Sequence, residues 1–148
     1  MGAVDGDGSA RMVPVDHALD VTRLFLHVLA ATIWVGGQLT LAALVPALRP
    51  LGGEVTRAAA RRFRQVAWPA FAVLVVTGVW NLTALDADER NESGTLTVKL
   101  VAVLVSGVSA FAHERATTRR GLAVWGALSA VSALVALLYG VVLAEGGD

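Results

Sequence analysis

Four long stretches of the chain carry no charged residue apart from Lys99, and shorter polar segments separate them. The stretches cover residues 24–48, 65–85, 93–113 and 121–144. Each reaches the ~20 residues that a helix needs to cross a hydrocarbon core about 30 Å thick. Because backbone polar groups in lipid must pair within their own segment, each stretch is expected to be helical. The pattern predicts an all-α bundle of four transmembrane helices, at about 21–48, 63–85, 95–115 and 121–144.

These helices form one predicted membrane domain, residues 21–144. The segment before it, residues 1–20, is rich in Gly and Asp and is expected to be flexible. It lacks the basic start and short apolar core of a cleavable signal peptide, so we expect it to be retained. Residues 145–148 form a short tail.

Composition agrees with a membrane protein, since 55% of the residues are hydrophobic and 16% are charged. The chain has no cysteine, which excludes disulfides, thiolate metal sites and a thiol nucleophile. No phosphate-binding glycine loop follows a strand, and no carboxylate lies within a span. We therefore assign no catalytic residue. The expected partners are the lipid bilayer and either a second copy or another membrane protein, with no nucleic acid.

The distribution of charge predicts the orientation. The connection between helices 1 and 2 carries five arginines against one acid, and the connection between helices 3 and 4 carries three more arginines. The loop at residues 86–93 has four acids and one arginine. Because basic loops stay cytoplasmic, both termini and the acidic loop are predicted to be extracytoplasmic.

Polar residues recur at helical spacing and mark the inward faces. His27, Trp34 and Gln38 share one face of helix 1, at steps of seven and four residues. In the predicted topology, His27 lies near the outer surface, at the same depth as a polar group from every other helix. The predicted outer pocket is lined by His27, Trp34, Asn81, Lys99 and Tyr139.

Each candidate has a structural alternative. Lys99 is either functional or extends its charge to the headgroups along its apolar stem. His27 is either a ligand or a hydrogen-bonded interfacial histidine. His113 and the charged residues after it are expected to be solvated, and Trp68 and Trp80 are expected to anchor the interfaces.

The order of three motifs resembles the copper resistance protein D (CopD) family of bacterial membrane proteins. These motifs are HVLAATIWVGGQLTLAALVPALR, RRFRQVAWPAFAVLVVTGVWNL and GTLTVKLVAVLVSGVSAF. The resemblance implies copper handling or transport at the bacterial inner membrane, with His27 as the metal ligand and His17 as a second candidate. The chemistry conflicts in part, because copper(I) prefers sulfur ligands and the chain has only two methionines.

The His, Trp and Val-Lys-Leu motifs are also similar to the HemJ-type protoporphyrinogen oxidases. That resemblance implies haem b, with His27 as an axial ligand and Lys99 beside a propionate. The stretch AALVPALR fits the copper group better. Copper handling, without enzymatic activity, is therefore the leading interpretation. The alternatives are a haem-binding porphyrinogen oxidoreductase and a small non-catalytic membrane subunit.

Overall fold

The computed structural model describes residues 15–83 and 94–145, and these residues are almost entirely helical. Four helices follow in order, and a 3₁₀ turn, Arg49–Leu51, joins the first two. They are α1 (Val15–Leu48), α2 (Gly53–Thr83), α3 (Gly94–Arg115) and α4 (Arg119–Glu145). All four are long and apolar enough to cross a membrane. The predicted all-α, four-transmembrane-helix fold is confirmed, and it fits a multi-pass integral membrane protein.

Two helices begin earlier than the apolar pattern predicts. Helix α1 starts at Val15, so residues 15–20 are helical, while residues 1–14 and 146–148 lie outside the described chain. Helix α2 starts at Gly53, ten residues before the expected position. At 1.5 Å per residue, α1 and α2 are about 51 and 46 Å long, well beyond a ~30 Å core. Their extra turns are rich in good helix formers such as Ala and Arg, which apolar counting overlooks.

The helices form two antiparallel hairpins. Helix α1 packs mainly on α2, and α3 packs mainly on α4. The α1–α2 and α3–α4 connections lie at the same end of the bundle. These connections and the helical turns beside them carry eight arginines, so we call this end the arginine-rich end. We call the other end, where α1 and α3 begin and α2 and α4 finish, the termini end. Which end faces the cytoplasm stays a prediction from the charge bias.

The turn between α1 and α2 depends on a glycine. Gly52 has φ 111° and ψ 150°, and its N–H donates to the carbonyl of Arg49 at 3.2 Å. Residues other than glycine rarely adopt this φ, because their Cβ collides with the backbone. Glu54 and Arg57 then form an ion pair in the first turns of α2.

Small residues dominate the contacts between helices. The buried set is mostly alanine and serine, with Trp34 as its one buried aromatic side chain among the described residues. In lipid, the hydrophobic effect does not drive helices together. Small residues let the helices approach closely, and the resulting van der Waals contacts stabilise the bundle instead. Two glycines receive phenylalanine rings: Phe63 occupies the place of a Cβ on Gly37, and a Cβ on Gly107 would lie 2.6 Å from Phe71 Cζ.

Candidate functional site

One hydrogen bond between the hairpins fixes their relative depth. Trp34 Nε1–H on α1 donates to Ser106 Oγ on α3 at 3.0 Å. Both helices run from the termini end. His27 precedes Trp34 by seven residues, and Lys99 precedes Ser106 by the same number. His27 and Lys99 therefore lie at the same depth, about 10 Å from the Trp34–Ser106 bond toward the termini end.

The Trp34–Ser106 bond belongs to a buried polar network that also includes α4. Ser106 Oγ donates to the carbonyl of Ser129 at 3.0 Å, and Ser129 Oγ lies 3.0 Å from both the Ser106 carbonyl and Gln38 Oε1. One hydroxyl proton cannot serve both acceptors, and Gln38 Nε2 is buried with no partner in the described part of the chain. Exchanging the amide O and N of Gln38 satisfies the contact, because the amide then donates to Ser129 Oγ. His27, Trp34 and Gln38 thus contact α2, α3 and α4 respectively.

The His27 ring is held by a threonine on α2. His27 Nδ1 lies 2.8 Å from Thr77 Oγ1, and the Thr77 hydroxyl donates to the carbonyl of Val73 at 2.7 Å. With that proton committed, the Nδ1–H of His27 is the donor to Thr77, which leaves a lone pair on Nε2 in the neutral ring. Gly78 lies beside the ring, because a Cβ there would be 3.6 Å from His27 Cε1. An imidazole fixed at Nδ1 with its Nε2 available is the usual state of a metal-ligating histidine.

Lys99 is half-buried on α3 and packs against a glycine of α4. A Cβ on Gly140 would lie 3.4 Å from Lys99 Nζ and 3.6 Å from its Cε. Lys99 makes no hydrogen bond or ion pair within residues 15–83 and 94–145. The equal depth of His27 and Lys99 follows from the Trp34–Ser106 hydrogen bond, and their meeting in one pocket stays a prediction.

Arg23 is a basic residue of this region that the sequence interpretation missed. It lies one helical turn before His27, on the same face of α1. Only 12% of its side chain is exposed, and Nη2 pairs with Asp20 Oδ1 at 3.2 Å. Its Nε is buried and has no hydrogen-bond partner among the described residues. Arg23 and His27 are four residues apart, and this spacing alone would have placed Arg23 beside His27 on one face of α1.

The other predicted pocket residues contribute less. Asn81 and Tyr139 are half-buried, and neither makes a hydrogen bond with His27 or Lys99 in the described chain. Trp34 is 3% exposed and lies deeper, where it stacks on Phe71 with ring centroids 4.4 Å apart. Its role is to join α1 to α2 and α3.

The two histidines proposed as metal ligands are held apart. His17 and His27 both lie in α1, ten residues and therefore about 15 Å apart, so His17 does not fold back toward His27. No group of three or more His, Cys, Asp or Glu side chains is placed to hold a metal ion within the described residues. A copper site of several protein ligands is consequently not formed there.

The arginine-rich end holds contacts that the sequence interpretation assigned to solvent and lipid. His113 Nδ1–H donates to the carbonyl of Leu122 at 2.8 Å. Trp68 Nε1–H donates to Glu114 Oε1 at 2.7 Å. His113 and Glu114 therefore lie in the last turn of α3 and bind neighbouring helices. Helix α3 extends to Arg115, as the sequence predicts, with Glu114 and Arg115 exposed and His113 half-buried.

Comparison with known proteins gives no relative for this chain: no family model, curated protein or solved structure matches it. The two family resemblances therefore stand on the motifs alone.

Proposed function

We propose that this chain is a multi-pass membrane protein that binds haem b at its termini end, with His27 Nε2 as an axial ligand of the iron. The observation that carries the proposal is the His27–Thr77 hydrogen bond, since it orients the ring and leaves Nε2 free. Haem iron is commonly held by one histidine in this way. The order of the His, Trp and Val-Lys-Leu motifs supports the same assignment.

The basic residues around His27 suit an anionic ligand. His27 packs on Gly78 and Lys99 packs on Gly140, since a Cβ at these glycines would lie 3.6 Å from His27 Cε1 and 3.4 Å from Lys99 Nζ. Lys99 and Arg23 supply positive charge, and the buried Nε of Arg23 has a donor to spare. Carboxylates such as the propionates of haem form short, charge-assisted hydrogen bonds with such groups. When bound, haem would supply one-electron redox chemistry.

Copper handling at the bacterial inner membrane is the second candidate, and the CopD-like order of motifs in α1, α2 and α3 favours it. The donor set argues against a copper(I) site within one chain. Within residues 15–83 and 94–145, His27 has no second histidine nearby and the chain offers no sulfur ligand, whereas copper(I) prefers thiolate and thioether sulfur. Haem needs only one such ligand from the protein.

The test is to express the protein with ample haem, purify it in mild detergent and measure its visible spectrum and its copper content. We expect a Soret band that corresponds to one haem per chain. The band should be lost in His27→Ala and weakened in Lys99→Gln. His113→Ala is the matched control, because His113 is also half-buried and hydrogen-bonded through Nδ1 but lies about 21 Å deeper.

Three results would contradict the haem assignment. The first is a Soret band that His27→Ala leaves unchanged. The second is stoichiometric copper without a Soret band, which would favour copper handling. The third is protein that is folded by circular dichroism yet binds neither, which would favour a non-catalytic packing subunit.

A further inference from the structure

An apolar groove of about 550 Å³ runs between α2 and α3, away from the His27 region. Helix α2 contributes Trp68, Phe71 and Val75, and α3 contributes its face between Leu100 and Phe111. The ring of Phe71 lies against Gly107, so the glycine keeps the groove deep. The groove runs toward the arginine-rich end.

Charged residues border the groove at that end. The guanidinium of Arg115 stacks on the ring of Phe111, with Cζ 3.6 Å from the ring centroid. Glu114 accepts a hydrogen bond from Trp68 through one oxygen and pairs with Arg64 at 3.8 Å through the other. Both oxygens of Glu114 are therefore engaged, and Arg115 has no acidic partner within the described residues. The groove ends at an arginine whose donors are available.

The length of the groove matches one leaflet of a bilayer. From Leu100 to Phe111 is about 16 Å along α3, or half of a ~30 Å hydrocarbon core. A ligand that fits has an acyl chain reaching the midplane and a negative group at the membrane surface. Arginine binds phosphate oxygens through two parallel donors, and basic pockets between transmembrane helices suit anionic headgroups.

We propose that this groove is a binding site for an anionic phospholipid, with one acyl chain along Phe71 and Gly107 and the phosphate on Arg115. A second copy of the chain fits less well. A symmetric dimer across this face would bring two arginine-rich ends together. The described acids at that end, Glu54 and Glu114, already pair with arginines of their own chain.

The test compares phosphatidylglycerol with phosphatidylcholine of identical acyl chains. The delipidated protein is titrated with each lipid in detergent, and bound lipid is counted by native mass spectrometry. We expect wild-type protein to prefer phosphatidylglycerol. Arg115→Gln should weaken that lipid about fivefold, since one basic residue near an anionic lipid is worth ~1 kcal/mol. Arg57→Gln is the control, because it removes the same charge at the arginine-rich end from an arginine that pairs with Glu54 and lies seven residues before Arg64 in α2, and it should bind as wild type does.

Leu104→Trp provides a second test that changes no charge. Leu104 is 66% exposed and lines the groove, so the larger ring should fill the groove without disturbing the core, and it should lower the occupancy of both lipids. Equal binding of the two lipids by the wild type would overturn the proposal. Equal losses in Arg115→Gln and Arg57→Gln would also overturn it, as would unchanged phosphatidylglycerol occupancy in Leu104→Trp. A lipid-free dimer that buries the groove would assign this face to a second copy instead.

Discussion

Trp34 on α1 donates its indole N–H to Ser106 on α3 at 3.0 Å, and this contact joins the two hairpins at the centre of the bundle. Because α1 and α3 run in the same direction, it also aligns His27 with Lys99. The chemistry of the termini end therefore depends on packing two helical turns away.

The Trp34–Ser106 bond should be measurable as a coupling energy. We expect Trp34→Phe and Ser106→Ala each to destabilise the protein, and the double variant to lose less than the sum. Hydrogen bonds between transmembrane helices couple by about 0.6 kcal/mol on average and up to ~1.7 kcal/mol, and the burial of this pair favours the upper part of that range. Reversible unfolding in mixed micelles provides the four free energies. Strict additivity would show that the bond does not hold the hairpins together.

Gly36 and Gly37 make a matched pair of adjacent positions. Gly37→Ala should destabilise the bundle by about 1–3 kcal/mol, because the new methyl group collides with the Phe63 ring. Gly36→Ala meets nothing within 4 Å, so it should be neutral or stabilise by up to ~1 kcal/mol through helix propensity. Thermal unfolding of both variants in the same detergent compares them. Equal effects would mean that Phe63 does not pack on Gly37.

The helices and their inward faces could be predicted from the sequence because both depend on local spacing. The seven-residue step from His27 to Trp34 sets one face of α1, whatever the rest of the chain does. The start of α2 could not be predicted in the same way, because four of its first ten residues are charged and leave no long apolar run. The predicted topology alone gives the depth of each residue in the membrane, so it could place His27 and Lys99 at the same depth.

The side-chain pairs that join different helices could not be predicted from the sequence. Thr77 lies in the last two turns of α2, yet nothing in the sequence shows that its hydroxyl meets His27, fifty residues away. A tryptophan near the end of an apolar stretch, such as Trp68, is typical of an interfacial anchor. In the structure, however, its indole N–H donates a hydrogen bond to Glu114. Such contacts depend on the rotation of each helix about its axis, which the packing of all four helices determines together.

Thr77 should tune the proposed site without forming it. Thr77→Val keeps the shape of the side chain but removes the acceptor for His27 Nδ1, and we expect haem affinity to fall about 10- to 100-fold. Thr77→Ser retains the hydroxyl and should bind nearly as the wild type does. Titration with haem, followed at the Soret band, measures both. Equal affinity of the Val and Ser variants would show that the hydroxyl does not position His27.

The orientation can be tested directly because the chain has no cysteine. Single cysteines at Thr83 and Glu145 report on the termini end, and one at Arg57 reports on the arginine-rich end. The charge bias predicts that an impermeant maleimide added to intact cells labels the first two and spares the third. Labelling of Arg57→Cys alone would invert the topology and place His27 near the cytoplasmic surface.

The central claim, that the imidazole of His27 is itself the ligand, is tested most directly by replacing the ring with free imidazole. His27→Gly should purify folded but without a Soret band. Added imidazole should restore the band, and it should leave the spectrum of His113→Gly as it was. Recovery of the band in His27→Gly is the predicted result. A Soret band in His27→Gly without imidazole, or a folded variant that imidazole does not restore, would contradict the claim.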